Sequence, residues 1–492
     1  MNIISAGHHL LYGERAEPLW HEGLWVYDLG IVEIASDKAM QLFQAYSIAD
    51  GYDHLHFLGW IQNSDGSTQG PFLLESIRGV NTDEGPQEGW YQVPHKPAKL
   101  TDEYVVHATS FDDLTSNRLR GTRVRLLRTD GSSVWKTDHV DLDMNSHYSS
   151  ETRVIRITDN LFVVAIDSES RAHLVKRDGD ALTAVDVISW DTGEYHFPIC
   201  FIVRGMELLI TWGENNWFTS DPSYPPATTR VIPVTYAITN SSITVTNVYG
   251  PMGNFRPTTF SNWEGFHVDD IYDFIGAAQV GPNTAAWGFT QTNYPDLYPD
   301  RDNSYESFTS TAMVTWDGND VHVSEQLDSA TMSATGLYQQ SVVDIVPTGN
   351  GNYAVISHVP FEIIESPGAA TYQRRGLLMY EVQSGAIVNE QLIASTTSEI
   401  ADIIGLGTYE IYEMLSLQAA GESGNIWVLM QGWVVDEPYL GFFLGQFGSV
   451  PPLRLAQRDD AIEFGSPRVN NIGATSRQGN EKRIYPGGNA YY

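Results

Sequence analysis

The sequence predicts an all-β protein from its composition, the pattern of its apolar runs and a repeated pair of hairpins. Aromatic residues make up 12% of the 492 residues, with 13 Trp and 25 Tyr, and there are 43 Gly. Aromatic residues favour strands, and glycines favour tight turns. Most of the chain consists of short apolar or alternating runs bounded by Gly, Pro, Asn and Asp, a pattern typical of strands. Two segments, 36–49 and 395–416, have the spacing of short amphipathic helices, so we expect helices there.

The N-terminal residues 1–39 are interpreted as an arm. Their start, "MNIISAGHHLLYGERAEP", lacks the basic segment and uninterrupted apolar run of a signal peptide. The segment "LWVYDLGIVEIA" (24–35) is interpreted as a strand that completes the last repeat and closes a ring. No stretch approaches the roughly 18 apolar residues of a membrane-spanning helix, so no membrane span is predicted.

Two kinds of hairpin alternate over residues 40–470. The first kind ends in a strongly apolar strand and occurs at 153–170, 198–216, 273–292, 342–360 and 415–433. The second kind has a tight turn and a more polar second strand, and it occurs at 126–142, 171–189, 231–250, 311–328, 376–394 and 439–457. Its turns centre near residues 131, 179, 241, 318, 385 and 448, and a poorer copy spans 54–80. These spacings predict about seven units of four strands each.

Units of four antiparallel strands, repeated six to eight times, are the plan of a β-propeller. Apolar runs such as "LFVVAI" suit inner strands packed between neighbouring blades, whereas "VHVSEQLD" alternates as an outer strand does. Asp-Gly pairs at 130–131, 178–179 and 317–318 supply the positive φ angles of two-residue hairpins, so "TDGSSVW" is interpreted as structural. We therefore expect about seven four-stranded blades over residues 40–470, with six or eight as alternatives, and an extended tail over 471–492.

The net charge and the cysteine content limit the binding partners and the covalent cross-links that the chain can have. The net charge is −33, from 61 acidic and 28 basic residues. Such a surface repels phosphate backbones, so no nucleic-acid binding is predicted. The single cysteine, Cys200, excludes an intramolecular disulfide, and its apolar surroundings predict a buried thiol.

Three short patterns were considered as metal sites. His54 and His56 share one face of a strand, but no further ligands follow at zinc spacing, so they are interpreted as ordinary strand histidines. Oxygen-bearing side chains at alternate positions can wrap Ca²⁺. Such alternation occurs at Asp141, Asp143 and Asn145, and at Asp300, Asp302, Ser304 and Glu306. Neither loop has glycine at the sixth position, so no cofactor is predicted, with Ca²⁺ as the alternative.

Glycoside cleavage needs two nearby carboxylates, and aromatic rings can stack on the sugar. The candidate carboxylates are Glu264, Asp269 and Asp270, with Glu214, and the candidate glycan contacts are Trp212, Trp217 and Trp263. No motif of nucleophilic, phosphate-binding or dinucleotide chemistry occurs in the chain, so the motifs favour no enzyme.

In composition and plan the chain resembles the propeller subunits of tailed-bacteriophage tail hubs, nozzles and tips. The resemblance is at the level of the fold and no motif carries it. It implies a non-enzymatic structural or adhesive virion protein, acting as one copy of a homo-oligomeric ring that contacts other tail proteins or a host-surface glycan. Such a protein is made in the host cytoplasm without a signal peptide. The alternative is a glycan-binding or polysaccharide-cleaving β-propeller, and a third possibility is an intracellular scaffold.

Overall fold

The computed structural model describes residues 25–49, 52–64, 68–81, 91–112, 120–143, 152–167, 170–191, 196–214, 229–255, 276–293, 305–329, 333–335, 342–364, 372–392, 411–421, 425–434, 437–446 and 454–456. Strands and tight turns dominate these residues, so the all-β prediction is confirmed. The predicted helices are wrong where they are described, because Lys38–Ala49 and Ile411–Ala420 are strands. The described residues contain no helix long and apolar enough to cross a bilayer.

The strands, numbered in chain order, form seven antiparallel sheets within the described residues. Sheet 1 contains β1 (Trp25–Ala35), β2 (Lys38–Ala49), β3 (Tyr52–Asn63) and β4 (Thr68–Asn81). Sheet 2 contains β5 (Tyr91–Pro94), β6 (Ala98–Lys99), β7 (Tyr104–Asp112), β8 (Arg120–Thr129) and β9 (Val134–Leu142). Sheet 3 contains β10 (Thr152–Thr158), β11 (Leu161–Ile166), β12 (Arg171–Asp178) and β13 (Ala181–Ser189).

Sheet 4 contains β14 (His196–Arg204), β15 (Glu207–Glu214), β16 (Thr229–Ile238), β17 (Ile243–Val248) and β18 (Met252–Phe255). Sheet 5 contains β19 (Gly276–Gly281), β20 (Thr284–Asn293), β21 (Tyr305–Trp316), β22 (Val321–Val323), β23 (Leu327–Asp328) and β24 (Ser333–Thr335). Sheet 6 contains β25 (Val342–Gly349), β26 (Asn352–Ile364), β27 (Tyr372–Gln383) and β28 (Ala386–Leu392). Sheet 7 contains β29 (Ile411–Ala420), β30 (Asn425–Val434), β31 (Glu437–Gln446) and β32 (Arg454–Ala456). Each main path has four strands, which pair in chain order.

Strand β1 does not have the ring-closing role predicted for residues 24–35. It pairs with β2 over its length, from Trp25 opposite Tyr46 to Ala35 opposite Lys38. A tight turn joins the two strands, and this local pairing makes β1 the first strand of sheet 1. The last sheet obtains all four of its strands from the end of the chain instead.

Burial follows the predicted division between inner and outer strands. Every residue of β11 is buried, because the second strand of a sheet is covered on both faces. Strand β17 at the outer edge of sheet 4 is exposed or half-buried beyond its first residue. Apolar clusters fill the spaces between sheets, and one of them joins Phe197 of sheet 4 to Trp287 of sheet 5. Cys200 lies in this cluster as predicted, and burial raises the pKa of its thiol to about 12.

The Asp-Gly pairs form hairpins of two kinds. Gly179, with φ +61°, lies in a two-residue turn closed by Asp178 opposite Ala181. Gly131, with φ +80°, lies in a longer turn closed by Thr129 opposite Val134. There the Asp130 carboxylate accepts hydrogen bonds from the backbone N–H and hydroxyl groups of the two serines that follow. The two-residue prediction is therefore wrong at 130–131 and also at 317–318, where Trp316 pairs with Val321 and the Asp317 carboxylate accepts from two backbone N–H groups. In both places the aspartate itself stabilises the longer turn.

The sheets present two different ends. At the end that we call the turn end, turns join the first strand to the second and the third to the fourth. The Lys38 ammonium of sheet 1 donates to the Gly131 carbonyl of sheet 2 at 2.7 Å, so these sheets have their turns on the same side. Likewise, the Arg204 guanidinium of sheet 4 lies 4.9 Å from the Trp316 ring centroid of sheet 5. The opposite end, which we call the loop end, carries the other connections.

Each sheet contacts the next one along the chain through its first strands, with β6 and β7 of sheet 2 contacting β10 of sheet 3, and β29 of sheet 7 contacts β1 of sheet 1. Side chains strengthen these contacts. The Gln418 amide oxygen on β29 accepts from the Ile31 N–H on β1 at 3.3 Å. The Lys96 ammonium of sheet 2 lies 2.9 Å from an Asp344 carboxylate oxygen of sheet 6, and this ion pair links sheets that are not neighbours in the chain.

Candidate functional site

Most of the sequence-predicted site residues fall, in the sequence, between strands whose ends lie at the loop end of the sheets. Strand β15 ends at Glu214 before β16, β18 ends at Phe255 before β19, and β20 ends at Asn293 before β21. The residues between these strand ends lie outside the described residues: Trp217, Trp263, Glu264, Asp269, Asp270, Asp300, Asp302 and Ser304. Asn145 also lies outside them, and Glu306 is the second residue of β21. Because neighbouring strands are antiparallel, the strand ends that flank these segments all lie at the loop end.

Trp212 does not have the exposure predicted for a glycan contact. It lies on β15, the second strand of sheet 4, and its side chain is fully buried. Its indole N–H donates to the Tyr236 hydroxyl at 3.2 Å, and its ring centroid lies 6.1 Å from that of Trp190. The prediction fails here because a second strand packs between sheets and leaves no indole face for a sugar.

The first acidic loop uses its carboxylates in ion pairs. Asp141 accepts from the Arg123 guanidinium at 2.7 and 2.8 Å. Asp143 accepts from Arg171 at 2.6 Å and lies 2.8 Å from the His173 Nε2. Burial raises the pKa of Asp143, but its hydrogen bonds and the neighbouring positive charges lower the pKa below its usual value.

The Ca²⁺ alternative has no support at Asp141 and Asp143, because Arg123 and Arg171 already form ion pairs with these carboxylates. Within the described part of the chain, no group of three His, Cys, Asp or Glu side chains could hold a metal ion. His56 is buried in sheet 1, as expected of an ordinary strand histidine.

A buried charged cluster joins sheets 1 and 2. Glu75 on β4 accepts from the Arg125 Nε at 2.6 Å and from the Lys136 ammonium at 2.5 Å, and Arg123 lies 3.4 Å away. The Arg125 side chain is 1% exposed, and its guanidinium carbon lies 3.7 Å from the Phe57 ring centroid. Burial opposes ionisation of Glu75, but the charge of Arg125 and the hydrogen bonds from Lys136 and Arg125 lower the Glu75 pKa to about 2.

A buried serine–histidine pair lies at the loop end of sheets 3 and 4. The Ser170 hydroxyl oxygen lies 3.2 Å from the His196 Nδ1, and the Trp190 ring centroid lies 4.6 Å from that of His196. A serine beside a histidine resembles a nucleophile and its base. Both side chains are buried, with Ser170 fully covered, so the pair supports the strand ends. Sequence reasoning missed it because no motif links the two positions.

Together the ion pairs of Asp141 and Asp143 and the Ser170–His196 contact make the described loop end of sheets 2 to 4 a charged, hydrogen-bonded frame. The ion pairs of Asp141 and Asp143 hold the end of β9 against β8 and β12. Rigid strand ends of this kind can position the side chains of the connections between them.

The described architecture of four-stranded antiparallel sheets is consistent with a β-propeller. No known protein family matches the chain, and no curated protein matches it. Among solved structures, a putative 6-phosphogluconolactonase from Bacteroides uniformis matches with 10% identity over 81% of this chain and 95% of its own, at a TM-score of 0.38.

Two further solved structures also match. An α-L-arabinofuranosidase from Fusarium graminearum has 11% identity over 90% of this chain and 99% of its own, at a TM-score of 0.37. A GH43 protein from Bacillus licheniformis has 9% identity over 92% of this chain and 90% of its own, at a TM-score of 0.20. At these identities no residue role is transferred to this chain.

The prediction of a non-enzymatic virion component is contradicted by these findings, since the structures named above include an α-L-arabinofuranosidase and a putative 6-phosphogluconolactonase and none of the three is a phage tail protein. The predicted homo-oligomer stays a prediction.

Proposed function

We propose that this chain is a carbohydrate-active β-propeller of seven blades, with its saccharide site at the loop end. The blade count is supported by the contacts between consecutive sheets, which run from sheet 1 to sheet 7 and return from β29 to β1. Each sheet in this proposal is one blade, and the first strands surround a central axis.

The observation that carries the saccharide site is the position of the candidate carboxylates in the topology. Glu214 ends β15, and Glu264, Asp269 and Asp270 lie in the sequence between β18 and β19. Both connections begin at the loop end of sheet 4, so four acidic residues fall in the sequence at or after strand ends on that side. Hydrolysis of a glycosidic bond requires two carboxylates that flank it.

In this proposal Glu264 is the general acid, and Asp269 or Asp270 provides the second carboxylate. Trp217 and Trp263 lie in the same two connections, where indole rings would stack on the sugar. The charged frame at the loop end would keep the flanking strands still while a polymer binds. Non-covalent glycan binding at the same place is the second candidate, because the same tryptophans would serve it.

The test is the release of reducing ends from arabinan, xylan, β-glucan and mannan by the full chain and by Glu264→Gln. The matched control is Glu325→Gln, because Glu325 is an exposed glutamate on the outer edge of sheet 5, between β22 and β23. Loss of a general acid lowers kcat by about 100-fold or more, whereas the control should keep full activity.

Binding of the same polysaccharides is measured in parallel, with Trp263→Ala as the variant expected to weaken it. Binding without reducing ends would replace hydrolysis by the second candidate. Neither binding nor hydrolysis of any of the four polymers would overturn the proposal.

A further inference from the structure

A cavity of about 680 Å³ opens at the turn end between sheets 1 and 2. We call it the Trp135 groove, after the tryptophan of the hairpin 126–142. Its walls include the first turn of sheet 1 with Lys38, the Lys99–Glu103 segment, and the β8–β9 turn with Arg128 and Asp130. It lies at the opposite end of the sheets from the strand ends between which the candidate carboxylates fall in the sequence. Its volume is in the range of small-molecule sites.

Trp135 is the most exposed of the tryptophans whose side chains the structure describes. Its exposed fraction is 38%, whereas Trp60, Trp212, Trp287 and Trp427 are buried. A single exposed apolar side chain is ordinary on a protein surface. Trp135 differs because its ring belongs to a concave wall in which charged groups converge, an arrangement typical of ligand sites.

The charged side chains of the groove are held in place by hydrogen bonds and ion pairs, but they retain donors and acceptors that a ligand can use. The Lys38 ammonium uses one donor on the Gly131 carbonyl, and the Lys99 ammonium donates to Ile34 O at 2.9 Å and lies 3.0 Å from Asp102. An ammonium has three donors, so each lysine retains at least one. Acceptors are also present, because the Asp102 side chain is 94% exposed.

Arg128 connects the aromatic and polar walls. Its guanidinium carbon lies 5.8 Å from the Trp135 ring centroid, and its Nη2 lies 3.2 Å from a Glu103 oxygen. The Asp130 carboxylate is committed to hydrogen bonds with Ser132 and Ser133, which hold the turn beside the ring. The walls are therefore organised before any ligand arrives, and this lowers the entropic cost of binding.

We propose that the Trp135 groove binds a neutral saccharide, with a sugar ring stacked on the Trp135 indole and its hydroxyls bound by the charged side chains around it. The groove is lined by equal numbers of positive and negative side chains, so its wall has no net charge. The cations are Lys38, Lys99 and Arg128, and the carboxylates are those of Asp102, Glu103 and Asp130. A neutral, hydroxyl-rich ligand can use donors and acceptors together. An anionic polymer would in addition be repelled by a chain of net charge −33.

This site shares the ligand class of the proposed function but not its residues. It would hold a polymer at the turn end without cleaving it.

The test is titration of the full chain with the neutral hexasaccharides of arabinan, xylan, β-glucan and mannan, and with hexagalacturonate as the acidic probe. Each titration is made in the unaltered chain, in Trp135→Ala and in Trp135→Phe. The matched control is Val187→Ala, because Val187 is a 50% exposed apolar residue on the outer strand of sheet 3. Thermal unfolding shows whether each variant is folded.

We expect at least one neutral hexasaccharide to bind, with about tenfold weaker affinity in Trp135→Ala, which corresponds to about 1.4 kcal/mol for the stacked ring. Trp135→Phe should weaken binding measurably but less than Trp135→Ala, and Val187→Ala should leave it unchanged. If Trp135→Ala does not fold, Glu103→Gln and Trp135→Phe decide the question, because both should measurably weaken binding.

The inference is overturned if no neutral hexasaccharide binds, if hexagalacturonate binds more tightly, or if the Trp135 variants bind as the unaltered chain does. The same titrations in Glu264→Gln separate this site from the proposed hydrolytic one. Binding that survives Glu264→Gln but not Trp135→Ala belongs to the groove, whether or not the chain hydrolyses any polymer.

Discussion

Replacing Glu75 by glutamine tests whether the charged cluster between sheets 1 and 2 stabilises the fold. The Glu75 side chain is 10% exposed and lies between Arg125 and Lys136, with Arg123 beside it. Burial lowers the pKa of Arg125 to about 10, so its guanidinium stays charged at neutral pH. Glutamine keeps the shape of the side chain but leaves three cations without their shared carboxylate.

The magnitude follows from the pKa of Glu75, which falls from 4.5 to about 2 in the folded chain. Each pKa unit corresponds to about 1.4 kcal/mol, so the ionised carboxylate adds about 3 kcal/mol to the free energy of unfolding. Removal of one partner from a buried pair costs a similar amount, about 3–5 kcal/mol. Because the folded pKa is the lower one, this stabilisation is complete above the unfolded pKa and is lost as the pH falls towards the folded pKa. Near pH 3 the stabilisation by the Glu75 carboxylate should be about 1.4 kcal/mol, which is less than half of its full value.

The assay is denaturant unfolding of the unaltered chain and of Glu75→Gln at several pH values from about 7 to about 3. We expect the difference in unfolding free energy to be about 3 kcal/mol at neutral pH and to shrink as the solution is acidified. Glu103→Gln is the control, because the Glu103 side chain is 60% exposed and its pair with Arg128 lies at the surface. A difference no larger than that of the control, or one independent of pH, would refute the reasoning.

Two further predictions concern the ion pair between Lys96 and Asp344, which joins sheets 2 and 6, and the buried thiol of Cys200. Lys96→Met should lower the free energy of unfolding by about 3 kcal/mol, because Asp344, 5% exposed, then loses its cationic partner. In denaturant unfolding, Arg156→Met should cost less than about 1 kcal/mol, because its pair with Asp159 is largely exposed; equal costs would contradict a structural role for the Lys96 pair. Cys200, whose thiol is buried, should resist alkylation by iodoacetamide in the folded chain and react after unfolding, as measured by mass spectrometry. Rapid labelling of the native protein would contradict its burial.

The hairpins were predictable because they depend on local signals. The Asp-Gly turn at 178–179 and the apolar run that became β11 are readable from neighbouring residues alone. The segment 36–49 was misread for a related reason. As a second strand, β2 has its described residues Ala39–Phe43 buried on both faces, so its apolar residues lack the strict alternation of a half-buried strand.

The sites were less predictable because they join residues that are distant in the chain. Trp212 resembled a sugar platform next to acidic residues, and only the packing of sheet 4 between its neighbours shows that its indole is covered. The Trp135 hairpin was interpreted as structural. The Trp135 groove exists because the turns of sheets 1 and 2 lie side by side, and the hydrogen bond from Lys38 to the Gly131 carbonyl joins them.

The amino-acid sequence by itself determined the all-β class, the order of the hairpins and which strands would be buried, because turn propensity and apolar patterning act over a few residues. The tertiary structure alone decided which strand begins the first sheet, which carboxylates form ion pairs with arginines and which of the described tryptophans is the most exposed. Those outcomes depend on contacts between sheets, as between Glu75 and Arg125, and short-range patterns do not encode such contacts.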